Sequence, residues 1–273
     1  MRNIPENNLA YPVLILIDNN STGSGFLYTD TVKTYLVTAK HVIYDSNTRM
    51  IIGKSAIITC QDSDPLSDQI FQYKLDFKEL ASNHKITISP NSDIGIIEVF
   101  DVENQEGSLS FKNTCIKGVQ KVRQSNNGSL ISVDPKAVGS YEEVLISNDV
   151  FLYGYPISLG LQGRPQFNFH KPLLRKGIVA GLNSPTKTIV LDCPSYYGNS
   201  GGPVVQVEAH LDGTHTHKII GVMSEFIPFQ EQWINNRTKS VNTQISNSGY
   251  SIAVSMDKVN ETIELHRTIQ SKK

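Results

Sequence analysis

Cysteine is scarce in this 273-residue chain; the three present are Cys60, Cys115 and Cys193. They are odd in number and far apart. No disulfide framework can be read from them, and a reducing compartment is expected. An excess of either charge is missing too: 25 Lys and Arg face 26 Asp and Glu, a formal net charge of −1. That balance supplies no electrostatic argument for nucleic acid or a membrane surface as partner. Lys117, Lys121 and Arg123 form a small basic cluster, which reads as a solvated face. Long apolar runs are absent as well. The stretch Tyr11–Ile17 is far short of the about 20 residues that span a bilayer. It follows Glu6 and two asparagines rather than a basic region, so it reads as a first strand and not as a signal peptide. No internal repeat or low-complexity tract is present. His210, Asp212, His215 and His217 flank a hairpin turn at Gly213-Thr214, but their spacing matches no structural zinc pattern. No metal or cofactor is expected.

What is there is a globular composition, 39% hydrophobic and 19% charged, with length for a sizeable core. One stretch organises the rest: Tyr197-Gly198-Asn199-Ser200-Gly201-Gly202-Pro203. Three glycines around one hydroxyl imply backbone dihedrals that other residues avoid. Such a turn can expose the serine oxygen and aim neighbouring N–H groups at one point. Acyl transfer needs that pairing of a nucleophile with oxyanion donors. The plain alternative is a glycine-rich turn between strands. Two further stretches bear on the choice: Leu36-Val37-Thr38-Ala39-Lys40-His41-Val42 and Ser92-Asp93-Ile94-Gly95-Ile96-Ile97-Glu98-Val99. An imidazole can accept and return the serine proton near neutral pH, and a carboxylate can hold its tautomer. Taken singly, a histidine after a strand is a surface or capping residue, and an aspartate at a strand start is a turn residue.

Together, these motifs resemble the chymotrypsin-like serine peptidases, closest to the disulfide-free bacterial branch with HtrA-type catalytic domains. The family's histidine follows a Thr-Ala pair, as His41 does. Its aspartate opens an apolar strand, as Asp93 does, and its serine lies in Gly-x-Ser-Gly-Gly-Pro, as Ser200 does. The order His, Asp, Ser separates the chain from α/β-hydrolases and subtilisins. Secreted members carry a cysteine directly after the histidine; here Val42 stands there. The resemblance implies an all-β fold: two packed six-stranded antiparallel β-barrels with a C-terminal α-helix. It implies a catalytic triad of His41, Asp93 and Ser200, and an oxyanion hole from the N–H groups of Gly198 and Ser200. Ser224 matches a family serine that hydrogen-bonds the triad aspartate. The strand from Ser224 through Glu225 and Phe226 would pair with the substrate backbone. The family has a small residue where Phe226 stands, which bears on pocket depth. Pro194 and Ser195 would lie at the pocket base, with Gly249 and Ser251 on the opposite wall; an acidic base selecting Arg or Lys is absent. In the digestive branch an aspartate precedes the nucleophile and pairs with a processed N-terminus. Here the residue is Asn199, which cannot form that ion pair, so activation by N-terminal cleavage is not expected.

Along the chain, β-branched and aromatic runs bounded by turn residues predict strands at Val13–Ile17, Gly25–Tyr28, Tyr35–Thr38, Ile51–Thr59, Phe71–Phe77 and Ile94–Phe100. A second set is expected at Val150–Pro156, which resembles the family's opening strand of barrel two, Gly177–Leu182, Thr188–Asp192, Pro203–Val207, Ile219–Met223 and Tyr250–Val254. Met256, Val259 and Ile263 share a face of a helix over Met256–Ile269, with Ser255 as N-cap. The expected division is a first barrel over 1–102, an extended inter-barrel linker over 103–148 and a second barrel with the helix over 149–273. The linker is polar, with an exposed loop at 124–129, and would suit a regulatory partner. A PDZ domain, which accompanies HtrA-type catalytic domains, is not expected here.

These readings converge on a serine endopeptidase acting on protein or peptide substrates, cytoplasmic and bacterial. The alternative is a non-catalytic peptide-binding module on the same fold. An α/β-hydrolase, which Gly198-Asn199-Ser200-Gly201-Gly202 also fits, would want helices between strands after the serine.

Overall fold

A computed structural model of the chain describes residues 4–18, 21–30, 32–105, 108–123, 130–156 and 164–272. The expected loop at 124–129 lies outside the described residues. In chain order the strands of the first half are β1 (Pro12–Ile17), β2 (Ser21–Thr29), β3 (Lys33–Ala39), β4 (Tyr44–Asp45), β5 (Met50–Ile51), β6 (Ser55–Gln61), β7 (Ile70–Asp76), β8 (Ile86–Ile88), β9 (Ile94–Gln105), β10 (Ser108–Cys115) and β11 (Val119–Arg123). Helix α1 (Lys40–Ile43) follows β3, and α2 (Phe77–Ser82) follows β7. The second half holds β12 (Asp149–Gly154), β13 (Leu173–Asn183), β14 (Thr188–Asp192), β15 (Pro203–Ala209), β16 (His215–Asn235), β17 (Ser240–Ser255) and the terminal helix α3 (Met256–Ser271). Among the described residues no helix is long and apolar enough to cross a membrane.

The all-β architecture of two packed antiparallel units with a terminal helix is as the sequence implies; the second unit is the expected six-stranded barrel, whereas the first is a curled sheet of nine strands rather than six. The first sheet is antiparallel in the order β10-β9-β3-β2-β1-β6-β7-β11, with β8 beside β9, and curls around one core. The second is a closed barrel, β12-β13-β14-β17-β16-β15, around another. A third apolar cluster joins them: Phe26, Tyr35 and Val37 of the first sheet meet Phe151, Val205 and Val222 of the barrel, and Met256, Val259 and Ile263 of α3 close over it. The seam between the sheets is thus a packed core, and it holds the two halves of any site formed across it.

Several elements differ from the sequence reading. Residues 103–123 are not linker: β9 runs on to Gln105, and β10 and β11 extend the first sheet at its two ends. Val119 is the one buried residue of β11, so the strand carries no apolar alternation. The connection over 130–148 touches both halves, through bridges from Val133 to Tyr28 and from Val138 to Ile219. β6 begins at Ser55 rather than Ile51, and Ile86–Ile88 was too short to predict. Ser255 precedes α3, but its hydroxyl makes no cap bond. Asp257 instead accepts from the Tyr141 N–H at 3.0 Å and pairs with Lys187 at 2.5 Å. Most unexpected is the reach of β16 and β17, which stay paired from Gly221↔Ser255 to Asn235↔Ser240 as a ribbon beyond the barrel.

Candidate active site

The site lies where the ends of β3 and β9 meet the turn before β15. β3 pairs with β9 up to Ala39↔Ile94, which puts α1 beside the residue preceding β9. The Lys40 N–H donates to the Asp93 carbonyl at 3.1 Å, and the His41 N–H to Asp93 Oδ1 at 3.1 Å. These backbone bonds bring the side chains into line: His41 Nδ1 lies 2.8 Å from Asp93 Oδ2. Across the seam, the Ser224 hydroxyl donates to the same Oδ2 at 2.6 Å. An ionised carboxylate only accepts, so Nδ1 carries the ring proton and Nε2 is left with a lone pair.

The electrostatics follow from these contacts. The hydrogen bond to Asp93 raises the His41 pKa above its ordinary value; partial burial opposes this, and the charges of Asp93 and Glu225 add to it. Burial on its own would raise the Asp93 carboxyl. The hydrogen bond and charge of His41 and the Ser224 hydroxyl outweigh it, so the group is held below the usual carboxylate range.

Ser200 sits in a turn that only glycines permit. Gly198 and Gly201 have φ of 95° and 90°, the left-handed region. A Cβ on Gly201 would lie 2.0 Å from the Ser24 carbonyl oxygen. The turn is pinned by its backbone: the Gly201 N–H donates to the Met223 carbonyl at 2.7 Å, and the Asn199 N–H to Tyr196 at 3.0 Å. By contrast, the N–H groups of Gly198 and Ser200 have no acceptor among the described residues. They are the pair expected to meet an oxyanion. The Ser200 hydroxyl donates to the Ser224 carbonyl at 3.0 Å, so its single proton is not given to His41 in this arrangement.

The flanking walls also assemble. Asn247 Nδ2 donates to the Ser195 carbonyl at 2.6 Å, and Asn247 Oδ1 accepts from the Gly249 N–H at 2.9 Å. The Ser251 hydroxyl donates to the Cys193 carbonyl at 2.8 Å. The Phe226 ring meets the exposed Tyr197 ring edge-on, 5.8 Å between centroids at 88°. Two residues here escaped the sequence reading. Asn247 lies on the far strand of the ribbon. Ser24, in Gly23-Ser24-Gly25 of β2, is buried against the Ser200 turn; paired glycines around it were the available signal, since a Cβ on Gly25 would lie 2.7 Å from the Val37 carbonyl. Elsewhere, Asp212 accepts from the N–H and hydroxyl of Thr214 as a turn residue. No group of three or more His, Cys, Asp and Glu is placed to hold a metal among the described residues. The three cysteines are free.

Residues 23–213 match the trypsin-like peptidase domain. The chain belongs to that family. Among solved structures, this trypsin-like domain is similar to Deg5, at 17% identity and a TM-score of 0.52, over 95% of this chain and 90% of that one. It is also similar to two structures of the HtrA-type protease AlgW with tripeptide, at 14% and 16% identity. Their TM-scores are 0.47 and 0.45; 97% and 96% of this chain is covered, but only 63% and 60% of theirs. At such identities the likeness to Deg5 is one of fold. No curated protein matches.

Proposed function

We propose that this domain is a serine endopeptidase with His41 as base, Asp93 as its orienting carboxylate and Ser200 as nucleophile. The observation that carries the reading is Ser224: its hydroxyl binds Asp93 Oδ2 at 2.6 Å, and its carbonyl holds the Ser200 hydroxyl at 3.0 Å. One residue therefore ties base and nucleophile, which come from different barrels, into one constellation. On substrate binding, the Ser200 hydroxyl leaves the Ser224 carbonyl and turns to His41 Nε2. His41 takes its proton as the oxygen attacks the scissile carbonyl. The oxygen of the tetrahedral intermediate gathers negative charge between the Gly198 and Ser200 N–H groups. The imidazolium, stabilised by Asp93, then protonates the leaving amine. Water attacks the acyl-enzyme by the same steps in reverse order.

The test is labelling with a fluorophosphonate, which reacts with an activated serine. Labelling should be at Ser200 and vanish in Ser200→Ala and His41→Ala. Because such groups act as a unit, the double variant should be little worse in peptide hydrolysis than either single one. A non-catalytic module would bind peptides without labelling, and that result would overturn the reading.

A further inference from the structure

The ribbon formed by β16 and β17 leaves the barrel beside the nucleophile. β15 covers β16 only as far as Pro203↔Val222, and from Glu225 outward that edge has no strand partner among the described residues. The edge is continuous with the residue that holds the Ser200 hydroxyl. Exposed edge strands are normally blunted by lysine, proline or bulges. Here Pro228 and two register shifts, at Met223/Glu225 and Phe226/Pro228, lie at the root only, and Glu231 is the sole charge between Pro228 and Asn235. Apolar side chains stand out on both faces. Phe229 (51% exposed) and Trp233 (62%) share one face; Ile234 (63%), Val241 and Ile245 share the other. A two-stranded ribbon with no core is marginal in water and gains most from a third strand.

We propose that the open edge of β16 from Phe229 to Asn235 takes the substrate's own chain as that third strand. This rests on the peptidase reading above and extends it. Antiparallel pairing is the stabler arrangement, and β16 runs from the site to the ribbon tip. A substrate strand antiparallel to it runs from the tip to the site and delivers its carboxyl end to Ser200. The segment on the amino side of the cleaved bond then lies along the ribbon. With one residue per strand position, the outer edge meets roughly the sixth to twelfth residues before that bond, up to about 37 Å from Ser224. Main-chain bonding makes the recognition tolerant of sequence but demanding of conformation: the segment must be extended and free of proline. Apolar residues at alternate positions would cover Phe229 and Trp233. The substrate class is thus a long extended chain segment rather than a short peptide or a folded surface loop.

The experiment uses fluorogenic peptides with one fixed cleavage site and either three or twelve residues before it, measured as kcat/KM on the full chain. The long peptide should exceed the short one by about tenfold or more. In a variant with residues 230–245 replaced by Asn-Gly, which joins the facing residues Phe229 and Ser246 by a two-residue turn, the ratio should fall to about one. N-methylation of alternate amides in the distal segment needs no protein variant and should also erase the gain. Equal kcat/KM for both lengths, or a gain that survives N-methylation, overturns the proposal. So does a flat length dependence in a chain that dimerises through the ribbon, which would make a second copy the occupant. If neither peptide is cleaved and Ser200 does not label, the peptidase reading itself falls, and this proposal with it.

Discussion

The Ser24 hydroxyl, on β2 of the first sheet, donates to the Gly198 carbonyl of the Ser200 turn at 2.6 Å, across 174 residues of chain. The Ser24 N–H donates to the Ser200 carbonyl at 2.8 Å. One buried residue therefore grips the carbonyl side of both proposed oxyanion donors, and Asn199 lies between them. Its hydroxyl also accepts from the Tyr155 N–H at 3.0 Å, and its carbonyl accepts from the Thr38 hydroxyl at 2.7 Å. The first sheet thus supplies His41 and Asp93 and also fixes the backbone of the turn that carries Ser200.

Ser24→Ala should lower kcat about tenfold while KM changes little, because Ser24 acts on the donors and not on bound substrate; direct loss of a donor costs about 10²–10³-fold. Affinity for a peptide aldehyde, which forms the oxyanion, should fall in parallel. Ser24→Cys should restore part of both. The variant also leaves a buried acceptor and donor unmatched, a cost of about 1–3 kcal/mol in unfolding free energy. A stability loss with unchanged kcat would leave Ser24 a packing residue only.

Hydrolysis should rise with pH as His41 loses its proton, because only the neutral ring accepts from Ser200. The hydrogen bond to Asp93 raises the His41 pKa, so the midpoint should lie above the ordinary histidine value of about 6.5. Asp93→Asn removes the largest cause of that rise, and the midpoint should drop while kcat falls by about 10⁴-fold. A kcat/KM profile for each protein decides this; a midpoint below about 6.5 in the parent chain contradicts it.

Phe226 and Tyr197 meet edge-on beside Ser200, and Pro194 and Ser195, which the proposed reading puts at the base of the primary pocket, are uncharged. Cleavage should favour small uncharged residues over Arg, Lys, Leu or Phe. Phe226→Gly should raise kcat/KM for Leu or Phe at that position about tenfold, the scale of one pocket contact. Profiling on a peptide library reads both. A strong Arg preference in the parent chain would point to Glu225 reaching the pocket.

Glu98 on β9 is buried and takes hydrogen bonds from His266 of α3 at 3.1 Å and Lys85 at 2.8 Å, with Lys33 at 3.1 Å. Burial would raise its pKa, but these three partners outweigh it and hold the carboxyl at about 2. A depressed carboxyl stabilises the fold above its unfolded pKa of about 4.3 and loses that contribution as pH falls toward 2. Linkage makes this about 3 kcal/mol. Glu98→Gln should be less stable than the parent at pH 7, and the gap should close as pH falls from about 4 to about 2. A gap independent of pH would show that the ionisation is not what the network uses.

Local pattern was legible in the sequence. His41, Asp93 and Ser200 stand in short motifs that single them out before any fold is known, and buried strands such as Val13–Ile17 or Ile94–Phe100 announce themselves by apolar content. Helix α3 shows its buried face as Met256, Val259 and Ile263 at helical spacing. These signals share one origin, since a side chain that must be buried or must react constrains its own position in the chain.

Only the tertiary structure decided the rest. β11 buries one residue of five, and the outer ribbon buries none on either face, so their pairing is backbone hydrogen bonding, which writes no pattern into side chains. Ser24 and Asn247 read as ordinary polar residues until folding brings them to carbonyls 174 and 52 positions away. The role of Ser24 depends on where the two sheets pack, which is set by the shared cluster of Phe26, Val37, Phe151 and Val222, and that of Asn247 on the closure of the second barrel, rather than on anything near them in sequence.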